Sequence, residues 1–521
     1  MKSGLAPAHR HFRWGRRTAV VAATALATAS TVWVTTSADG APKPANRTDR
    51  PGVTANLFEW NWTSVARECT RVLGPAGYTG VQVAPPQDSL KRTALGDGSD
   101  TVLHPWWEVY QAVDYNLTSR MGTEGQFKAM VNTCRRAGVK VYVDTVINHT
   151  TGQGNTSYGG RHYTHFSYPG VYGPSDFHHK GTGPNDCPSA SGGIEDFNNR
   201  HQVFKCELLG LADLDTSGNH VRSQLAGYLN KLIGYGVSGF RVDAAKHVGQ
   251  ADLDAIYSRL HRTKDGLRPY WALEVFGGGP GILSPQAFTR SGDVLGLDGV
   301  KQIRDAFKSY PAAHVGSIAT LEVFGAGSGL TPSAKTLSFV TNHDTERNGD
   351  SLSYKDGARF ILANEWLLAE GYGAPQVFSG FTWSTADGSP PSDANGLILN
   401  ADCSNGQWTC THRNPGIVGM VGWHNYVGGA KRSNFWTDGD NVIAFSKGSR
   451  GWAGFNNGAA SRTVTVQTGL PRGAYCDVLH SKRVESHCTN GVAPVRVNGR
   501  GLATVSLSAY DAVALDRANR L

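Results

Sequence analysis

The chain has 521 residues, with 50 Lys+Arg, 42 Asp+Glu, 64 Gly, 13 Trp and 8 Cys. That length exceeds one ordinary core, and 40% hydrophobic against 18% charged residues excludes disorder as the general state. No uncharged apolar run beyond residue 40 reaches the ~18–20 residues that span a bilayer, which excludes a polytopic membrane protein.

Residues 1–38 are organised like an export signal. Lys2, Arg10, Arg13, Arg16 and Arg17 form a basic start without an acid, and Thr18–Val34 is uncharged and rich in Ala and Val. Thr36 and Ala38 then supply the small residues of a cleavage point. Cleavage is expected after Ala38, with Ala41 as the alternative; Arg16-Arg17 leaves a twin-arginine route open. Five basic groups and no acid lie in this stretch, so its removal takes the formal charge from +8 to +3. The remainder carries no dense Lys/Arg stripe with interleaved aromatics. Neither nucleic acid nor, after cleavage, a membrane is an expected partner.

The expected location is therefore extracellular, where disulfides are the default for an even cysteine count. Cys403 with Cys410 and Cys476 with Cys488 are near enough for local staples. Spacing leaves the pairing of Cys69, Cys134, Cys187 and Cys206 open.

A leader is expected over 39–52, short and flexible. Strand signals follow at Thr54–Trp60, Gly80–Ala84, Val139–Val146, Gly239–Val242, Trp271–Phe276, Leu337–Thr341 and Gln376–Ser379, with an eighth near Leu295–Val300. Between them, Phe127, Met130, Val131 and Cys134 mark one face of a helix. Val221, Leu225, Tyr228, Leu229, Leu232 and Ile233 mark another. Eight strands alternating with helices predict an α/β fold, a closed (β/α)₈ TIM barrel over 53–148 and 214–430. Residues 149–213, rich in Gly, Asn, His and aromatics, break the rhythm and read as an insertion after the third strand. Past 431 the pattern is short strands and Gly/Asn turns, which predicts a C-terminal antiparallel β-sandwich domain to 521.

Four strand ends of this barrel are polar. They read Asp144-Thr-Val-Ile-Asn148-His149, Arg241-Val-Asp243-Ala-Ala-Lys246-His247, Glu274, and Asn342-His343-Asp344. Asp243, Glu274 and Asp344 thus converge on the rim where barrel active sites form. Carboxyls facing one cleft are the machinery of glycoside hydrolysis, one as nucleophile or base and one as the acid that protonates the leaving oxygen. Arg241, two positions before Asp243 on the same strand face, is expected to keep it ionised. His149 and His343 suit hydrogen bonds to sugar hydroxyls. Trp106, Trp107 and Tyr110 follow the second strand, where rings stack on pyranose faces; Tyr115 contributes less directly. His162, His165, His178 and His179 in the insertion read as surface or substrate-contact histidines.

These four segments resemble the signature regions of the α-amylase family, glycoside hydrolase family 13. Asn56-Leu-Phe-Glu-Trp60, Leu73-Gly-Pro, Gly80-Val-Gln-Val-Ala-Pro-Pro86 and His104-Pro-Trp-Trp-Glu-Val-Tyr-Gln111 resemble its animal-type and actinomycete branch. The resemblance implies Asp243 as nucleophile, Glu274 as acid/base and Asp344 as the third acid. It adds Gln111, Lys246 and Arg241 as substrate-site residues. It also implies a structural calcium ion on Asn148, Asp213, the carbonyl of His247 and a carbonyl near Phe204. The implied disulfides are Cys69–Cys134, Cys187–Cys206, Cys403–Cys410 and Cys476–Cys488. Animal-type members often hold chloride with two arginines and an asparagine. Arg241 and Asn342 match two of these, but Gln376 stands at the third, so chloride is not expected. Leu273-Glu274-Val-Phe-Gly277 recurs as Leu321-Glu322-Val-Phe-Gly325, and the 31 residues from Asp243 to Glu274 fit adjacent strands better. The expected activity is endohydrolysis of α-1,4-glucosidic bonds in starch or a related α-glucan, by a secreted monomer that retains configuration. An exo-acting or transglycosylating member and a non-catalytic carbohydrate-binding protein are the alternatives.

Overall fold

Eight short parallel strands close into a barrel in chain order, β1 Thr54–Leu57, β2 Gly80–Val83, β3 Lys140–Thr145, β4 Gly239–Val242, β5 Tyr270–Leu273, β6 Asp293–Leu295, β7 Thr336–Phe339 and β8 Ala374–Ser379. β1 closes the ring by pairing with both β2 and β8. The structure, a computed structural model, describes residues 47–96, 101–308 and 317–521. The expected export signal lies outside the described residues.

The strands are buried along nearly their whole length, as parallel strands covered on both faces must be. Tyr142, Tyr270, Ala272, Leu295, Leu297, Val300, Leu337, Phe339 and Ala374 form one packed cluster. A larger cluster joins the barrel to its helices, including Phe127, Met130, Val131 and Cys134 of the helix Glu124–Arg136. That helix starts where Thr123 and Gln126 cap each other reciprocally. Gly239 opens β4 because a side chain there would meet the Tyr270 backbone at 2.5 Å.

Two segments differ from the sequence expectation. The apolar run at Leu295–Val300 splits, with β6 ending at Leu295 and a helix over Leu297–Phe307. Val300, Ile303 and Phe307 share the buried face of that helix, a period that a short apolar run conceals. Residues 47–51 of the expected flexible leader instead seal the barrel floor. The Asp49 amide donates to the Arg268 carbonyl (2.7 Å), Tyr142 donates to the Asp49 carbonyl (2.8 Å), and Lys140 pairs with the Asp49 carboxylate.

Between β3 and the helix Asn219–Tyr235 the chain makes isolated bridges and short helices only, and Cys187–Cys206 crosslinks it. The other disulfides are Cys69–Cys134, Cys403–Cys410 and Cys476–Cys488. Beyond residue 431 lies an antiparallel sheet of Arg432–Thr437, Val442–Lys447, Gly451–Asn456 and Asp511–Asp516. A second core formed by Val442, Ala444, Trp452, Val466, Val505, Leu507 and Leu515 packs it on the pair Arg462–Gln467 and Leu502–Leu507.

Candidate active site

The catalytic candidates stand at the carboxyl ends of three barrel strands, two of them adjacent. Asp243 follows β4 and Glu274 follows β5, with amides tied to the carbonyls of Thr145 (2.9 Å) and Val242 (3.1 Å). Asp344 lies past β7, at the start of the short helix Thr345–Asn348. Glu322, the alternative acid, is exposed on a turn of helix outside the barrel strands.

One guanidinium organises the floor. Arg241 Nη1 donates to Asp243 Oδ1 (2.7 Å) and Asp144 Oδ1 (2.8 Å), and Nη2 donates to Glu274 Oε1. Glu274 Oε2 also accepts the Ala244 amide (2.9 Å), and Tyr110 donates to the far oxygen of Asp144 (2.9 Å). Ala244 adopts φ 46°, a left-handed turn that brings this amide beneath Glu274.

Three carboxyls bond one buried cation and a fourth, Asp344, lies within its field, so they cannot all ionise readily. Burial pushes each above the usual carboxylate range, Asp144 to about 7 and Asp344 to about 8, while Arg241 pulls each down. The expected lowering of Asp243 by Arg241 is therefore present, but burial outweighs it. The negative charge of Asp243 further lifts Glu274, Asp144 and Asp344. Burial also pushes His149 down to about 4, and His343 well below its ordinary value, with Arg241 and Arg347 adding to the latter. Both imidazoles are neutral at pH 7. His149 Nε2 lies 3.1 Å from the Tyr110 carbonyl and 4.0 Å from Asp243 Oδ2.

Above this floor opens a cleft of about 770 Å³. Trp106, Trp107, Tyr110, Gln111, His149, Asp243, Lys246, His247, Glu274, His343 and Asp344 all line it, so the predicted residues come together. Trp106 and Trp107 are half-buried, and their indoles donate to the Ala386 carbonyl (2.9 Å) and Asp387 Oδ1 (3.1 Å) in the loop after β8. Gln111 accepts the Gly152 amide (3.0 Å), and Lys246 donates to the Phe276 carbonyl (3.3 Å). Tyr115 does not reach the cleft; it stacks on Tyr228 and bonds Tyr172.

The sequence reading missed the opposite wall, made by Phe197, Leu208, Leu209 and Phe276. Exposed apolar residues carry no periodic signal. It also placed His178 on the surface or against substrate. His178 is buried instead, with Nδ1 2.7 Å from Asp213 Oδ2 and Nε2 3.5 Å from Asp215 Oδ1.

Asn148 and Asp213, 65 residues apart in sequence, meet side chain to side chain, with Asn148 Nδ2 donating to Asp213 Oδ1 (3.1 Å). Both are buried, and burial raises Asp213 to about 6. His247 Nδ1 donates to the Val203 carbonyl (3.0 Å), which brings the turn holding Phe204 against the helix holding His247. Asn148 carries an N-glycosylation sequon, but at 2% exposure it has no room for a sugar.

The barrel with its acidic rim defines a class, the glycoside hydrolases. Comparison with known proteins narrows it. The α-amylase catalytic-domain family matches residues 77–265, and the α-amylase C-terminal all-beta domain matches 435–518. An α-amylase of Thermomonospora curvata is 41% identical over 509 residues, 96% of this chain and 79% of that protein. Pancreatic α-amylase of Sus scrofa is 36% identical over 499 residues, 90% of this chain and 94% of that protein. The crystal structure of wild-type α-amylase I from Eisenia fetida gives a TM-score of 0.83 at 36% identity, covering 90% of this chain and 98% of that one. The chain belongs to the α-amylase family.

Proposed function

We propose that the cleft hydrolyses internal α-1,4-glucosidic bonds of starch-like glucans with retention of configuration, in a protein exported for that purpose. The observation that carries this is the attachment of Asp243 and Glu274 to the two ends of one Arg241 guanidinium. Retaining enzymes hold their carboxyls about 5–5.5 Å apart and inverting ones about 6.5–9.5 Å. A single guanidinium between them favours the shorter spacing. Membership of the family supports the α-glucan, and a solved mutant of the Eisenia fetida enzyme is a maltohexaose complex.

Burial raises both carboxyls and Arg241 lowers both, but only Glu274 is lifted further by its neighbour's charge, so Asp243 is assigned the anion and Glu274 the proton. The Asp243 carboxylate attacks the anomeric carbon, the glycosidic bond breaks, and the Glu274 proton goes to the leaving oxygen. Glu274, now ionised, takes a proton from water, which attacks the same carbon and frees Asp243. Asp344, pushed up to about 8 by burial and by the neighbouring carboxylates, holds sugar hydroxyls in its protonated form. Neutral His343 donates to hydroxyls, His149 spends its one N–H on the Tyr110 carbonyl and lines the cleft as a fixed ring, and Trp106, Trp107 and Tyr110 offer stacking faces.

Asn148, Asp213, the carbonyl of His247 and a carbonyl near Phe204 would hold a calcium ion, as oxygen donors of mixed charge suit it. The buried contact of Asn148 with Asp213 fits this, since it already joins the β3 end to the inserted segment. Bound there, the ion would supply rigidity rather than chemistry. A chelator is expected to lower the thermal midpoint by several degrees, and added calcium to restore it; an unchanged midpoint would remove the ion from the proposal. Gln376 donates to Gln82 Oε1 (3.0 Å) and Thr54 Oγ1 (3.3 Å). It brings no charge, so chloride activation is not expected. Four disulfides and the signal-like N-terminus support secretion.

The test is mature protein on soluble starch, with viscosity and products followed together. Rapid viscosity loss supports internal cleavage. Slow loss with one dominant short product assigns exo action, and no product at all would defeat the catalytic reading.

A further inference from the structure

A second arginine, which no part of the hydrolysis uses, is buried behind the tryptophan side of the cleft. Arg347 lies in the short helix after Asp344, and its side chain is only 4% exposed. Its guanidinium carbon stands 5.6 Å from the Phe58 ring centre, 5.5 Å from Trp106, 5.1 Å from Phe381 and 5.4 Å from Trp383. Those rings come from the loops after β1, β2 and β8, and Arg347 itself from the loop after β7. Nη1 donates to the His343 carbonyl (2.7 Å) and to Glu346 Oε1 (2.5 Å). Glu346 in turn accepts the Trp383 indole N–H (3.1 Å). One cation thus joins four rim loops.

What it joins is the part of the rim that faces the ligand. The His343 ring is stacked between Phe58 (4.6 Å, 3° between planes) and Tyr110 (5.1 Å, 23°), with Trp106 edge-on at 5.2 Å. His343, Trp106 and Tyr110 all line the cleft. Two further observations mark the spot as more than ordinary packing. Nε and Nη2 of Arg347 have no hydrogen-bond partner among the described residues, and neither do the two carboxyl oxygens of the wholly buried Glu59. Glu59 also adopts φ 57°, a left-handed conformation that a non-glycine residue adopts at a cost. Strain and unmet polar groups beside a binding cleft persist where function holds them.

We infer that Arg347 is a positioning residue, which sets Trp106 and His343 at the sugar-binding wall by clamping the loops after β1, β2, β7 and β8 in one aromatic cage. The inference rests on the reading of this cleft as an α-glucan site. A cation held over ring faces is attracted to each of them, more strongly where water is excluded. The planar guanidinium also satisfies the cage edge-on, at the His343 carbonyl and Glu346. Both of those bonds come from the single nitrogen Nη1, which an ammonium can replace, so a lysine keeps the charge and loses the flat guanidinium face against the rings, and a methionine keeps only the packing.

The test compares wild type, Arg347→Lys and Arg347→Met on end-labelled maltoheptaose, well below the thermal midpoint of each. Expected for Arg347→Met is a fall in kcat/KM on the order of 10- to 100-fold, with a changed distribution of cleaved bonds and an altered near-UV aromatic spectrum. Arg347→Lys should fall between Arg347→Met and wild type on all three readings. A lowered midpoint with unchanged kcat/KM and cleavage pattern would make Arg347 a stability residue and overturn the inference. So would unfolding of both variants. If wild type itself does not cleave maltoheptaose, the proposed function falls and takes this inference with it. Wild-type cleavage with normal variants removes this inference alone.

Discussion

The two walls of the cleft are built on opposite terms. On one side Trp106, Trp107, Tyr110 and His343 are held by ring contacts and by indole hydrogen bonds to a neighbouring loop. On the other, Phe197 (48% exposed), Leu209 (89%) and Phe276 (38%) stand in solvent. Phe276 precedes three successive glycines with φ of 74°, 64° and 141°, a loop whose backbone few other residues could adopt. The fixed wall gains its order from packing and hides its cost behind it, in Glu59 and Arg347. The exposed wall makes few contacts of its own and shows its cost openly as apolar surface. A fixed wall suits a ligand that must be aligned with Asp243, whereas an exposed apolar wall suits a ligand that must leave.

The largest effect separates chemistry from both walls. Glu274→Gln removes the transferable proton and leaves every wall residue in place. Turnover should fall about 10³-fold or more, while maltoheptaose affinity by calorimetry stays close to wild type. Loss of affinity alongside turnover would mean that Glu274 also holds the walls in register. The second effect is on the fixed wall. Trp106→Ala breaks its edge contacts with Tyr110 and His343 and opens the Arg347 cage. Aromatic pairs are each worth about 0.5–1.5 kcal/mol beyond burial, and Trp→Ala in packed surroundings costs about 3–5 kcal/mol. The expectation is kcat/KM down about 10- to 100-fold, with a clear fall in the thermal midpoint. Full stability in that variant would show that the wall is not held by its rings.

The contrast also explains what was legible beforehand. β4 and the residues after it, Gly239 to His247, can be read from sequence because one buried strand carries the chemistry directly at its end. Asp243 and Arg241 are then close by chain geometry alone. The fixed wall was half legible. Trp106 and Trp107 announce themselves as a pair, but the cage that holds them is assembled from Phe58, Arg347, Phe381 and Trp383, which lie far apart in the chain, and no local pattern records it. His178 was misplaced for the same reason, since its partner Asp213 is 35 residues distant. Leu209 and Phe276 were missed because an isolated exposed apolar residue is common and uninformative. Residues 47–51 were misjudged because a polar stretch beside a signal looks unstructured until Arg268 and Lys140 are seen to receive it.

The third prediction measures the hidden cost of the fixed wall. Burial pushes Glu59 up to about 8, against the attraction of Arg120 and Arg347. Its pKa is higher folded than unfolded. Below about 4.5 the group is protonated in both states, and its contribution to stability is fully present. As pH rises from about 4.5 toward 8 the unfolded chain ionises first, and that contribution is progressively lost. Glu59→Gln cannot ionise. It should match wild type at pH 4 and exceed it by roughly 2–4 kcal/mol at pH 8, measured by denaturant unfolding across the range. A constant difference at all pH values would show that Glu59 does not titrate between these states.

The smallest effect tests the exposed wall, and its two readings should move in opposite directions. Leu209 has φ 56° and sits before Gly210 at φ 75°, so its backbone is strained and its side chain is unburied. The left-handed region costs an ordinary L-residue about 1–2 kcal/mol, and asparagine adopts it more readily. Leu209→Asn should therefore stabilise the fold by up to about 1 kcal/mol, since no buried contact is lost. The same change removes apolar area from the cleft. Burying part of a leucine side chain is worth at most about 1.5–3 kcal/mol, and a residue that is flexible and touched by ligand on one face returns less. A KM for maltoheptaose raised about two- to fivefold, with kcat unchanged, is the expected result. A gain in stability with no change in KM would leave the strain at Leu209 without a ligand to explain it, and the exposed wall would then end at Phe197 and Phe276. A loss of stability would mean that Leu209 is held by its surroundings after all, and that the two walls differ less than their exposure suggests.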